Sequence, residues 1–423
     1  MKEFVIPRGT QDIFGQEIKY WHYIEQQIQQ ITKEFNVHEI RTPEFEHTEV
    51  FARDNDSSDM VNKEMYTFLD NGNRSLTLKP EGTSGFVRAY NNHKLFAVGE
   101  PLQKFYYLTP AFRYERPQKG RLRIHHQFGV EFVGVKDPSV DVECILLGLT
   151  LCQRLGITNY KLTINSLGDK ESRINYINAL KQYLHPHLDT LCADCRRRYI
   201  QNPLRILDCK IDNNLDVLKN VIKINDYLTN DAKNYFNQVC NLLDGLGIEY
   251  EINPYLVRGL DYYNDTVFEV IPTDINSSQS TIFGGGRYDN LVSQLGGPSN
   301  ISAFGFGIGI ERLILNLKNS NFVLNPENAV DVYAICLDDS CKLSLLKMLL
   351  DLRNLGYKCD MDFNNRSLKS QFKSAARLGA KYILIMGSDE LNNQSVNIKF
   401  VDSGIQETIK IADLVSKIKE NGR

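Results

Sequence analysis

The chain has 423 residues, 42% of them hydrophobic, and a formal net charge of -3. That length can bury more than one core, so two or three domains are expected, while the near-neutral balance gives no global signature of a nucleic-acid binder and leaves any polyanion to local basic patches. No apolar run reaches the length of a signal sequence or a membrane span. Nine cysteines, an odd number scattered over a long chain, make a poor disulfide framework and suggest a reducing compartment, so a cytoplasmic protein without membrane contact is expected.

From Gln16 to Phe35, apolar residues fall at Ile18, Trp21, Ile24, Ile28, Ile31 and Phe35, which is the spacing of one helix face. Turn-bounded strand signals follow at Tyr66 to Leu69, Leu76 to Leu78, Phe105 to Tyr107 and Gln127 to Val133 and predict an antiparallel sheet. From about residue 169 to 249 the pattern turns mainly helical, with Cys192-x-x-Cys195 followed by Arg196, Arg197 and Arg198. This reads as an inserted module, because strand signals and glycine-rich turns resume at Leu256 to Val270, Thr281 to Leu291 and Ala303 to Leu313. The polar segment Asn319 to Asn328 suits a linker. Beyond it, a strand at Val332 to Leu337, a helix ending near Gly356, a helix from Ser367 and a strand at Tyr382 to Met386 form an α/β unit of their own. The expected division is a split α+β core, residues 1–168 and 250–322, a mainly helical insertion, 169–249, and a C-terminal α/β domain, 329–423.

The densest chemical signal is Phe112 to Arg123, with five basic residues around Pro117 and Gly120, the composition of a cationic hairpin loop. One reading is a solvated basic turn. The other is a phosphate-rich ligand, since like charges on neighbouring positions repel unless an anion sits among them and guanidinium groups grip phosphate in bidentate geometry. Spacing alone leaves both open. The glycine runs at Phe283 to Tyr288 and Gly305 to Ile310 lack the endings of a P-loop or a dinucleotide fingerprint, which leaves them close backbone approach as a role. Arg258 and Arg312, ordinary when taken singly, could surround one triphosphate together with Arg113 and Arg121. Cys192, Cys195 and Cys209 would need His185 or His187 to complete a four-ligand zinc site, so unpaired thiols are expected and no protein-bound metal. His125 and His126 are adjacent on a strand, so at most one can face a given site.

These segments resemble the class II aminoacyl-tRNA synthetases over nearly the whole chain, and within that class the histidyl branch. The resemblance is carried by Arg41-Thr42-Pro43, Lys79 to Thr83, Phe112 to Arg123, Leu256 to Tyr263, Gly284 to Asp289 and Gly307 to Arg312. It implies an antiparallel catalytic sheet with flanking helices and a C-terminal anticodon-binding domain. The implied activity is ATP-dependent ligation of L-histidine to tRNA(His) through a histidyl-adenylate, with Mg2+ accompanying ATP, in a homodimer. On the same ground Arg113 would hold the α-phosphate, Arg121 and Arg312 the outer phosphates, and Glu115 the adenine amine. Arg258 would stand opposite Arg113. Glu81, Thr83 and Gln127 would surround the α-amino group, and Glu131 and Tyr263 would face the imidazole, with Tyr262 in the same pocket. The loop from Arg116 to Arg121 and the insertion would meet the tRNA acceptor arm, and the first helix with Pro43 would form the dimer interface. One departure stands out: Ile124-His125-His126-Gln127 replaces the family's Gln-Phe-His-Gln, so His125 occupies the adenine-stacking position and should stack more weakly. The rival reading is a non-catalytic relative, either the histidine-sensing regulatory subunit of ATP phosphoribosyltransferase or an RNA-binding paralogue. Arg258 and the C-terminal domain weigh against it.

Overall fold

The structure, a computed structural model, describes residues 3–52, 60–118, 120–273, 281–320, 322, 324, 330–364 and 366–421. Lys119 of the basic loop and most of the expected 319–328 linker lie outside the described residues. The chain divides into two compact units, residues 1–323 and 324–423.

The first unit runs α1 (Gln16–Glu34), β1 (His38–Glu39), β2 (Phe45–His47), β3 (Tyr66–Leu69), β4 (Ser75–Leu78), α2 (Thr83–Asn92), β5 (Gln103–Phe112) and β6 (Ile124–Val133). It continues through α3 (Pro138–Arg154), β7 (Tyr160–Ser166), α4 (Lys170–Leu184), α5 (Ala193–Gln201), α6 (Asp216–Lys219) and α7 (Asn230–Gly245). It ends with β8 (Glu251–Ile252), β9 (Asn264–Pro272), β10 (Phe283–Arg287), α8 (Leu291–Gln294), β11 (Ala303–Gly309) and α9 (Ile310–Asn319). Eight strands form one sheet in the order β1-β5-β6-β11-β10-β9-β7-β8, and β2-β4-β3 form a small second sheet. The neighbours from β5 to β7 are antiparallel, whereas the outer strands β1 and β8 pair in parallel.

Strand alternation divides the large sheet into two chemically different faces. Phe128, Val130 and Phe132 of β6, Phe268 and Val270 of β9, Phe283 of β10, and Phe304, Phe306 and Ile308 of β11 share one core with the apolar stripes of α1, α3, α7 and α9. Helix α3 is fixed at its start by Asp137, whose side chain accepts the Ser139 amide at 2.8 Å, with Pro138 in the first turn. The intervening positions, Gln127, Gly129 and Glu131 on β6 and Gly305, Gly307 and Gly309 on β11, face the other way, where a second cluster gathers Phe86, Tyr107, Tyr262 and Tyr288 with Tyr176, Leu180 and Leu184 of α4. Arg287 of β10 is fully buried in an ion pair with Asp141 of α3 and lies 3.0 Å from Asp289, so it ties sheet to helix.

The second unit holds β12 (Val332–Cys336), α10 (Lys342–Asn354), β13 (Cys359–Met361), α11 (Leu368–Arg377), β14 (Tyr382–Met386), α12 (Ser388–Asn392), β15 (Ser395–Phe400), β16 (Gln406–Lys410) and α13 (Leu414–Asn421). Its sheet, ordered β13-β12-β14-β15-β16, is parallel at β13, β12 and β14 and antiparallel beyond. Val332, Ala334 and Cys336 pack with α10 residues on one face, and Tyr333 and Ile335 pack with Ala375 of α11 on the other. This double coverage is why β12 and β14 read as unbroken apolar runs. No described helix is long and apolar enough to cross a membrane.

Candidate active site

The sheet face turned away from α1 and α3 floors a cleft of about 660 Å³. The floor is bare backbone where side chains from neighbouring strands must lie across it. A Cβ on Gly307 would stand 2.0 Å from Gln127 Nε2, and one on Gly284 would stand 2.8 Å from an Arg258 Nη. Glycine at these two positions is a condition for the site.

One end of the cleft is built by the turn entering α2. Glu81, 1% exposed, accepts the amides of Thr83 at 3.0 Å and Ser84 at 2.9 Å, at a helix N-terminus that favours negative charge. Tyr262 donates its hydroxyl to the same carboxylate at 3.3 Å, and Gln127 Oε1 accepts the Gly82 amide at 3.1 Å. Behind Thr83 lies Glu131, which accepts from Thr83 Oγ1 at 2.8 Å, Tyr107 at 2.9 Å and Tyr288 at 2.6 Å. Burial pushes its pKa up to about 8, although the three hydroxyls pull the other way. Thr83, Gln127, Tyr262 and Tyr263 line the cleft, whereas Glu131 sits beneath its wall.

The other end is cationic. Arg113, just past β5, is steered by a 2.8 Å hydrogen bond from Nε to the Pro80 carbonyl. Arg121 lies 2.9 Å from Glu115, and Arg113 lies 4.0 Å from the same carboxylate. Arg312, in the first turn of α9, donates to the Thr281 carbonyl at 2.8 Å. Burial lowers the Arg312 pKa, and Arg121 and Arg113 push it in the same direction, against Glu115. Arg258, in the loop before β9, is paired with Glu269 of β9 and stands 6.0 Å from the Tyr263 ring centroid. Among the described residues its buried Nε has no hydrogen-bond partner. The His125 pKa falls to about 3, first through burial and then through Arg113 and Arg312, so a neutral imidazole lines the cleft. His126 points to the opposite face, edge-on to Trp21 at 4.6 Å and 3.0 Å from Glu311.

Arginines that crowd one another while a guanidinium nitrogen lacks a partner define a site for a multiply charged anion. The acceptors Glu81 and Gln127 at the far end suit an ammonium group. The pattern offers positioning and charge neutralisation rather than a nucleophile and its base.

All the site residues named from the sequence meet in or directly beneath this cleft, but three contributors escaped that reading. Tyr107 and Tyr288 hold Glu131, and Glu269 holds Arg258. A usable signal existed for Glu269, a carboxylate between Phe268 and Val270 that is paired across strands with Gly284. One expectation is corrected. Cys192, Cys195 and Cys209 do converge, but the fourth group among them is Asp212, while His185 and His187 are exposed and outside the cluster. The apolar face of α1 packs into the core of the first unit, and next to Pro43 the small sheet leaves Phe45 and Phe68 exposed.

A family model described as histidyl-tRNA synthetase matches residues 9–313, and one described as anticodon binding domain matches residues 331–421. The chain is 45% identical over 420 residues to a histidine–tRNA ligase of Bacillus licheniformis, covering 99% of each chain. It is 46% identical over 414 residues to one of Clostridium botulinum, covering 98% of each. Among solved structures, apo histidyl-tRNA synthetase of S. aureus superposes with a TM-score of 0.84 at 40% identity, covering 99% of this chain and 100% of that one.

Proposed function

The chain belongs to the histidyl-tRNA synthetase family and ligates histidine to tRNA(His) at the expense of ATP, and from that premise we propose how its residues divide the work. In the first step a histidine carboxylate oxygen attacks the α-phosphorus of ATP, the bond to the bridging oxygen breaks, and pyrophosphate leaves. The tRNA 3′-terminal hydroxyl then attacks the adenylate carbonyl and AMP departs. Arg113 and Arg258 grip the α-phosphate from two sides and hold the charge that builds there, with Glu269 fixing the Arg258 guanidinium. Arg121 and Arg312 take the outer phosphates. Glu115 meets the adenine amine, and neutral His125 lies against the ring.

For the amino acid, Glu81, Thr83 and Gln127 receive the α-ammonium. Tyr263, with Tyr262 beside it, presents a hydroxyl to the imidazole, and Glu131 joins when the ring displaces one of its three hydroxyl donors. A polar ring satisfies these groups, whereas an apolar side chain of similar size leaves them unpaired. A divalent cation accompanies ATP, which we assign as magnesium; the Glu64 carboxylate in the cleft wall would give it an oxygen donor, and it would neutralise phosphate charge. The basic loop from Arg116 to Arg121 meets the acceptor end of the tRNA, residues 169–249 clamp the acceptor arm, and the C-terminal unit reads the anticodon. We assign the working form as a cytoplasmic homodimer joined through α1, Pro43 and the small-sheet surface beside it.

The observation that carries this division is the crowding of Arg113, Arg121 and Arg312 at one end of a cleft whose other end holds Glu81 and Gln127. It is tested by tRNA charging with labelled histidine. Arg312→Ala should raise KM for ATP and leave that for histidine near its parental value, and Gln127→Ala should do the reverse. Equal effects on both substrates in both variants would contradict it.

A further inference from the structure

The scheme above gives no individual role to the cysteine cluster of the insertion. Cys192-Ala-Asp-Cys195 and Cys209-Lys-Ile-Asp212 share one spacing and one local geometry. The Cys195 amide donates to Cys192 Sγ at 3.4 Å, and the Asp212 amide donates to Cys209 Sγ at 3.4 Å. The two turns face each other, with the Cys192 amide donating to Asp212 Oδ2 at 3.0 Å. The three sulfurs and a carboxylate oxygen all lie within 4.8 Å of one another, and Cys195, Cys209 and Asp212 are buried.

We propose that Cys192, Cys195, Cys209 and Asp212 form a structural zinc site. The Cys192 and Cys209 sulfurs are 3.8 Å apart, far beyond a disulfide bond and close to the separation of about 3.8 Å that two thiolates adopt on a tetrahedral zinc with bonds of about 2.3 Å. The amides aimed at the Cys192 and Cys209 sulfurs are donors of the kind that hold metal-ligating side chains in place.

The site also has a mechanical consequence. Between the two turns, Asn202 donates to Asp261 at 2.7 Å and Arg205 donates to the Arg258 carbonyl at 3.0 Å. A metal that closes the turns therefore braces the loop carrying Arg258. Here Cys192, Cys195, Cys209 and Asp212 are positioning residues, and only this bracing role rests on the function proposed for Arg258.

The test is elemental analysis of full-length protein purified without added metal or chelator, followed by exchange with Co2+. The expected result is one zinc per chain, with a thiolate-to-cobalt charge-transfer band on exchange. Cys209→Ser should reduce the zinc content at least about fivefold, whereas Asp212→Cys should keep the metal and strengthen the cobalt band. Folded parental protein that carries no zinc and takes up no cobalt would overturn the proposal, as would a Cys192–Cys209 disulfide found by mass spectrometry. Neither readout depends on catalysis, so a failed metal site and a failed assignment of Arg258 are distinguishable.

Discussion

Glu131 keeps its proton at neutral pH because burial outweighs the three hydroxyls that point at it. The folded chain therefore holds a proton that an unfolded chain releases above the ordinary value of 4.5. The corresponding contribution to stability is complete below that value and is lost as pH rises toward about 8. Glu131→Gln cannot titrate and should flatten this part of the profile, which melting temperatures across about pH 5 to 9 would show; a variant profile parallel to the parent's would contradict the assignment. His125 is displaced in the opposite sense, to about 3, so ATP binding should show no inflection near the usual histidine range. His125→Phe should lower KM for ATP by about two- to tenfold, the value of a better stacking partner, and an unchanged KM would count against stacking there. Sequence reasoning reached these residues through resemblance, and strand alternation separated His125 from His126. It could not supply the partners: Tyr288 lies 157 positions from the Glu131 it holds, and Asp212, although it repeats the spacing of Cys195 after Cys192, meets Cys192 only in the fold.

At the scale of elements, β10 and β11 work by lacking side chains on their cleft face. Gly284→Ala places a methyl against the Arg258 guanidinium and also 2.7 Å from the Phe268 carbonyl, so kcat should fall by about tenfold or more with folding retained. Gly307→Ala intrudes on Gln127 instead and should act on KM for histidine. Steady-state kinetics of the pair separates the two effects, and identical kinetic signatures would refute separate roles. The amphipathic α1 and the strand β14 were legible because their periodicity or length is unambiguous. Helix α3 was not, since Val142, Cys144, Ile145, Leu147 and Leu149 make it apolar nearly all round and blur its period. The strands β5 and β6 ran longer than their sequence signals because their ends flank the basic loop, where Arg113 and Arg123 pair backbone to backbone at 2.9 Å.

For the whole molecule, the order β6-β11-β10-β9-β7 brings segments from either side of residues 169–249 into one floor, an arrangement that hydrophobic patterning along the chain does not encode. The exposed Phe45 and Phe68, whose ring centroids lie 6.4 Å apart, form an apolar patch of the kind that proteins cover with a partner. Phe68→Asp should shift the chain from dimer to monomer in sedimentation at micromolar concentration, and a parental chain that sediments as a monomer would contradict the assembly proposed here.

The central claim is that Arg258 stabilises charge at the α-phosphate while histidine is activated. Histidine-dependent exchange of labelled pyrophosphate into ATP isolates that step from tRNA. The parental chain should exchange, and Arg258→Ala should lose about a hundredfold or more in rate with histidine binding retained by calorimetry. Exchange by Arg258→Ala at the parental rate would contradict the claim.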